Sequence, residues 1–141
     1  MNEEFQKAVI ADAAIKDLER MNNMFVGDLN TASKTTSNLG TLSVSATSIS
    51  CVCHGQTVVA GHRPVAVDGH ISALEYDFVI EWKKEELSTL RLYLQPNGVI
   101  THDAQGTSKV CDFNNTYIKN HILSALSAAL LASPIYAPRQ G

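Results

Sequence analysis

Five apolar residues recur at every second position, Leu74, Tyr76, Phe78, Ile80 and Trp82, with Glu75, Asp77 and Glu81 set between them. This alternation suits a β-strand with one dry and one wet face, because successive side chains on a strand point to opposite sides. Such a strand cannot stand alone, since its dry face needs both a paired neighbour and a cover. The neighbour follows in the sequence as Leu90, Leu92 and Leu94, set against Thr89, Arg91 and Tyr93. Aligning the two dry faces predicts Ile80 opposite Leu90 and Phe78 opposite Leu92, with residues 83–87 as a five-residue connection. The run Gln95-Pro96-Asn97-Gly98 then turns the chain, so that Leu94 faces Ile100 and Leu92 faces His102.

Upstream, Leu42, Val44 and Ala46 alternate with hydroxyl residues before the apolar phase slips by one to Ile49, Cys51 and Cys53. A one-residue slip exchanges the faces of a strand, which predicts a bulge near Thr47-Ser48. His54-Gly55 reads as a tight turn into a strand over 56–60. Gly61 and Pro64 interrupt that strand, and 65–67 resumes it. Asp68-Gly69 has the composition of a two-residue hairpin.

Helical spacing flanks the strands on both sides. Ala8, Ala11, Ala14, Ile15, Leu18, Met21 and Phe25 form one stripe over residues 3–26, with Asn2 as cap, Glu3 and Glu4 at the positive end of the dipole, and Gly27 as the stop. Residues 28–40, nearly devoid of apolar side chains, read as a flexible loop. A second helix is capped by Asn114 or Asn115 and runs to about Ser133, where Pro134 ends it and a tail over 134–141 begins. The expected fold is therefore one α+β domain over 1–141: an antiparallel meander of about five strands, with an N-terminal and a C-terminal helix on one face. At the level of outline it resembles small ligand-binding cones and secretion-chaperone folds, which implies a ligand-binding or protein-binding adaptor role and no particular chemistry.

Composition narrows the function. In 141 residues there are 11 Lys and Arg against 14 Asp and Glu, and the basic residues are scattered, which argues against a nucleic-acid partner. The apolar segment over 122–132 falls short of the roughly 20 residues that span a bilayer, and the acidic start is unlike a secretory signal. A cytoplasmic protein without a membrane partner is expected, with Cys51, Cys53 and Cys111 reduced.

Two groups of residues invite chemistry. Cys51-Val52-Cys53-His54 carries ligands that suit zinc, but no second Cys/His pair completes a set, so structural thiols and no metal or other cofactor are expected. His102 and Asp103 are the catalytic candidates. The expected register stands His102 among Tyr76, Phe78 and Trp82, where it would serve as a general base or, with those three aromatics, as part of a ligand pocket. No nucleophile elbow, phosphate loop or dinucleotide fingerprint is present in the sequence, which favours a binding module over an enzyme.

Missing charge points to self-association. From Thr35 to His62 there are 28 consecutive positions without Asp, Glu, Lys or Arg, a stretch that covers the first hairpin. A second such stretch, residues 120–138, holds a helix whose apolar residues spread around much of its circumference. Val44, Ile49, Leu123, Leu130 and Leu131 are the residues expected in a homodimer interface.

Overall fold

The computed structural model describes residues 2–35 and 37–139. A long helix α1 (Glu3–Ala32) leads into seven strands: β1 (Thr41–Val44), β2 (Ser48–Cys53), β3 (Gln56–Val67), β4 (His70–Trp82), β5 (Glu85–Leu94), β6 (Val99–Thr101) and β7 (Lys109–Asp112). Helix α2 (Ile118–Leu131) and a short 3-10 turn (Pro134–Tyr136) complete the described elements. All seven strands pair antiparallel in sequence order, so the sheet is a meander. The α+β class is as expected, with seven strands where about five were read.

Both helices pack on the same sheet. α1 lies against β4 and β1, while α2 touches β2, β5 and β7 at once. One helix can meet strands that far apart in the order only if the sheet curls around it, as the twist of long strands favours. The buried residues form one cluster, centred on Leu18, Phe25 and Leu29 of α1, the inward residues of β2 to β5, and Ile122, Leu123, Leu126 and Leu130 of α2.

Several expectations are corrected here. α1 does not stop at Gly27. It continues to Ala32 because Leu29 is wholly buried, and that packing outweighs the ~1 kcal/mol helix penalty of glycine. The connection read as 28–40 is shortened accordingly; within it Thr36 lies outside the described residues, as do Met1 at the start and Gln140 and Gly141 in the tail read as 134–141. The phase slip near Thr47-Ser48 marks a turn between two strands. Ser45 N–H donates to the Ser48 carbonyl at 2.9 Å, and the two hydroxyls sit 3.0 Å apart across the turn.

β3 is not interrupted at Gly61 or Pro64. β2 pairs with it only as far as Gly61, so beyond that point no described strand pairs with one side of β3 and Pro64 forfeits no ladder bond there. α2 begins at Ile118, later than read, after Asn115 Oδ1 accepts from Tyr117 N–H at 2.8 Å.

The largest correction is the β4–β5 register. Phe78 faces Leu90, Tyr76 faces Leu92 and Leu74 faces Leu94, two residues away from the expected pairing. The connection is a two-residue turn, Lys83-Lys84, both at positive φ, and a bulge between Phe78 and Val79 takes up the difference. Lysines give no sign of a turn that usually carries Asn-Gly, so the sequence hides it. Arg91 accordingly stands opposite Asp77, with Nε 3.8 Å from the carboxylate.

Candidate functional site

The imidazole that stands against the aromatic face belongs to His62, not His102. β3 and β4 pair so that His62 lies directly opposite Tyr76, and their rings are 5.3 Å apart. Phe25, from α1, also meets Tyr76, edge-on at 5.5 Å. One helical turn before Phe25, Asn22 belongs to the same buried stripe of α1. Glu19, a further turn back, lies within electrostatic reach of His62. The seam where α1 meets these rings thus carries Glu19, the buried Asn22 and Phe25 along the helix, and His62 and Tyr76 on the strands.

Two atoms in this seam are unusual. Asn22 is 4% exposed and Tyr76 3%, yet among the described residues Asn22 Oδ1 and the Tyr76 hydroxyl find no hydrogen-bond partner. Buried polar atoms are nearly always bonded, and each one left without a partner costs about 1–3 kcal/mol. Burial holds the Tyr76 hydroxyl well above the usual phenol range. Burial also lowers His62, against the opposing pull of the Glu19 carboxylate, so the ring favours its neutral form. Sequence reasoning passed over His62 because Gly61 and Pro64 beside it read as a break. A continuous β3 would have put His62 on the inner face.

His102 faces outward. Thr101 is completely buried directly after Ile100, at a register shift between β6 and β7, so the chain spends one extra residue inward and turns His102 to the outer face. There it borders an open groove with Ser88, Thr89, Arg91 and Tyr93. Asp103 organises the following loop, accepting from the N–H groups of Thr107 and Ser108 at 2.9 Å each and from the Thr107 hydroxyl. That hydroxyl and those amides hold its carboxyl below the usual range. His102 therefore does not share a pocket with Tyr76, Phe78 and Trp82. Phe78 is sealed in the core, and Trp82 sits half-buried at the sheet end under the Lys83 ammonium, which lies 4.5 Å from its ring centre. The core void touching Tyr76 and Phe78 measures about 10 Å³, room for no more than a water-sized group.

On the outer face, β3, β4 and β5 carry a polar ladder. Arg63 Nε lies 3.3 Å from one Glu75 oxygen, and the Tyr93 hydroxyl donates to the other at 3.0 Å. Ser88 and Arg91 both engage Asp77. Burial and the Glu75 carboxylate raise Tyr93.

The three thiols point inward and stay unpaired. Burial pushes Cys51 up to about 12, helped by Cys53 beside it, and Cys111 up to about 11, and it raises Cys53 as well. His54, which follows them in sequence, turns instead to α2, its Nε2 2.6 Å from Ser127 Oγ. Among the described residues no group of three or more His, Cys, Asp or Glu is gathered as a metal site would need.

The expected interface residues separate. Ile49, Leu123 and Leu130 lie in the core, because the curled sheet wraps more of α2 than a flat one would, and so they are not available to a partner. Val44 is half-buried and Leu131 is 58% exposed. A second exposed apolar group, unforeseen, lies on α1, where Phe5, Val9 and Ile10 are each more than half exposed.

No family model, curated sequence or solved structure matches the chain. No described helix is long and apolar enough to cross a membrane.

Proposed function

We propose that the protein is a self-associating interaction module in which β1 of one copy pairs with β1 of a second. The observation that carries this reading is the contrast between the two edges of the sheet. β7 ends in Lys109 and Asp112, which form an ion pair at 3.3 Å, and its pairing with β6 is irregular. Charges and bulges of this kind block edge-to-edge pairing. β1, Thr41-Leu42-Ser43-Val44, has no such guard and sits inside the uncharged 28-residue stretch.

Its bonding pattern is defined by the turn that follows. Ser45 and Ser48 are bonded partners, so by alternation Ser43 bonds Ser50 and Thr41 bonds Val52. The amides and carbonyls of Leu42 and Val44 then point away from β2. Antiparallel pairing of two copies about Ser43 would join Leu42 to Val44 twice, with about four hydrogen bonds, and would continue the meander across a two-fold axis. A reducing compartment such as the cytoplasm belongs to the same reading, since the three buried thiols are unpaired.

Light scattering on a size-exclusion peak tests it. The wild type is expected at twice the 15.3 kDa chain mass at micromolar concentration. Ser43→Lys, which adds a guard charge at an exposed position, is expected to return it to the monomer mass without lowering the melting temperature. A monomeric wild type, or a Ser43→Lys dimer, defeats the reading. Dissociation by Leu131→Arg alone would move the contact to α2 and equally defeat it.

A further inference from the structure

Asn97-Gly98 is the only Asn-Gly pair in the sequence, and a following glycine leaves its own backbone nitrogen unobstructed by any side chain. The pair lies at the tip of the β5–β6 hairpin, with Asn97 exposed. Gly98 N–H donates to the Gln95 carbonyl at 2.9 Å and φ of Asn97 is not positive, so residues 95–98 form a type I turn with Pro96 at its favoured second position. Asn97 Oδ1 accepts from Val99 N–H at 3.1 Å. Gly98 is buried at φ +87°, its carbonyl accepts from Phe113 N–H at 2.8 Å, and a Cβ there would collide with the Phe113 ring.

We infer that Asn97 is a site of spontaneous modification by water, which the folded turn keeps shut and unfolding opens. Gly98 nitrogen attacks Asn97 Cγ, a C–N bond forms, and the side-chain nitrogen leaves as ammonia, carrying off the proton of Gly98 N–H. Water then opens the five-membered ring. Opening at Cγ gives aspartate, whereas opening at the backbone carbonyl routes the chain through Cβ and Cγ as isoaspartate, with one extra backbone carbon. Val99 N–H already bonds Oδ1 and would stabilise the charge that develops there, so electrostatics favour the reaction. Geometry forbids it. A type I turn holds ψ of Asn97 near about 0°, whereas ring closure needs Gly98 nitrogen eclipsed with Cβ, roughly 120° away about the same bond. The attacking nitrogen is also tied through its proton to Gln95. Reaction therefore waits for an opening that breaks this bond and unseats Gly98 from Phe113. Once isoaspartate has lengthened the turn, Gly98 cannot meet Gln95 and Phe113 together, so the hairpin does not close again as before.

Peptide mapping by mass spectrometry tests this on native and urea-unfolded protein aged in mildly alkaline buffer. Replacement of the Asn97 side-chain nitrogen by oxygen is expected to run roughly tenfold slower or more in the native state. Pro96→Gly, which loosens the turn, should speed it in the native protein, and Asn97→Ser, which lacks the carboxamide, should age without change at this position. An endoproteinase that cuts before aspartate but not before isoaspartate separates the two products, and the isoaspartate chains should melt below the wild type after refolding. Equal rates in native and unfolded protein would overturn the inference, as would an unfolded chain that stays unmodified or a Pro96→Gly protein no faster than the wild type. Isoaspartate chains that regain the wild-type melting temperature would overturn it as well.

Discussion

Replacing Lys119 by methionine tests how the two helices are held together. Lys119 lies in the first turn of α2, where an ammonium faces the positive end of its own helix dipole. Nevertheless it is only 5% exposed, and its Nζ donates to the carbonyls of Ser33 at 3.1 Å and Thr35 at 2.6 Å. These carbonyls lie at and just beyond the C-terminus of α1, a helix with no basic residue in its own last turn. Lys119 thus supplies from α2 the cation that α1 lacks. Each charge-assisted bond contributes about 1.5–3 kcal/mol, and the dipole adds about 0.3–1 kcal/mol. Against these stands the desolvation of a buried ammonium, which is worth several kcal/mol and is recovered in the variant. Methionine keeps the aliphatic stem, so little packing is lost, and a net destabilisation of about 2–3 kcal/mol is expected. For a chain of this size that is roughly 5–10 °C in melting temperature. Hydrogen exchange should rise first at the last turn of α1, which loses its tether. A Lys119→Met protein as stable as the wild type, with unchanged exchange there, would show that desolvation cancels the bonds and that the helices hold by apolar contact alone.

Phe78→Ala should cost about 3–5 kcal/mol in chemical denaturation, since the ring is 1% exposed against the β5 leucines; a loss under 1 kcal/mol would contradict the pairing of Phe78 with Leu90. His62 has a folded pKa below its unfolded value, so the unfolded chain takes up the proton first and stability falls as pH drops from 7 through about 6.5. That decline should flatten in His62→Gln, and an unchanged profile between pH 7 and 5.5 would remove His62 from the account. Cys51, Cys53 and Cys111 should resist a thiol reagent at pH 8 in the native protein and all react once it is unfolded; rapid native labelling of any of them would contradict their burial.

Much of the architecture was legible in local chemistry. Asn2 accepts from Phe5 N–H at 2.8 Å as its place before Glu3 and Glu4 indicates, and His54-Gly55 and Asp68-Gly69 form tight turns with positive φ. The pairing of Leu94 with Ile100 follows from Gln95-Pro96-Asn97-Gly98. In each case the signal and the structure it produces lie within a few residues of one another, so the sequence alone carries the physics.

What the tertiary structure decided depended on groups far apart in the chain. Lys83-Lys84 adopts a conformation that its residues do not favour, because the pairing of β4 with β5 on either side compensates for it. Gly27 stays helical because Leu29 is buried by the body of the fold. The candidate site moved for the same reason: one inward residue spent at Thr101 rotates His102 out, and the absence of a described partner beyond Gly61 lets β3 continue through Pro64 and brings His62 onto Tyr76. A strand's alternation states that it has two faces and which residues share one. Which of two histidines lands on the inner face depends on single-residue shifts in register, and long-range packing sets those shifts.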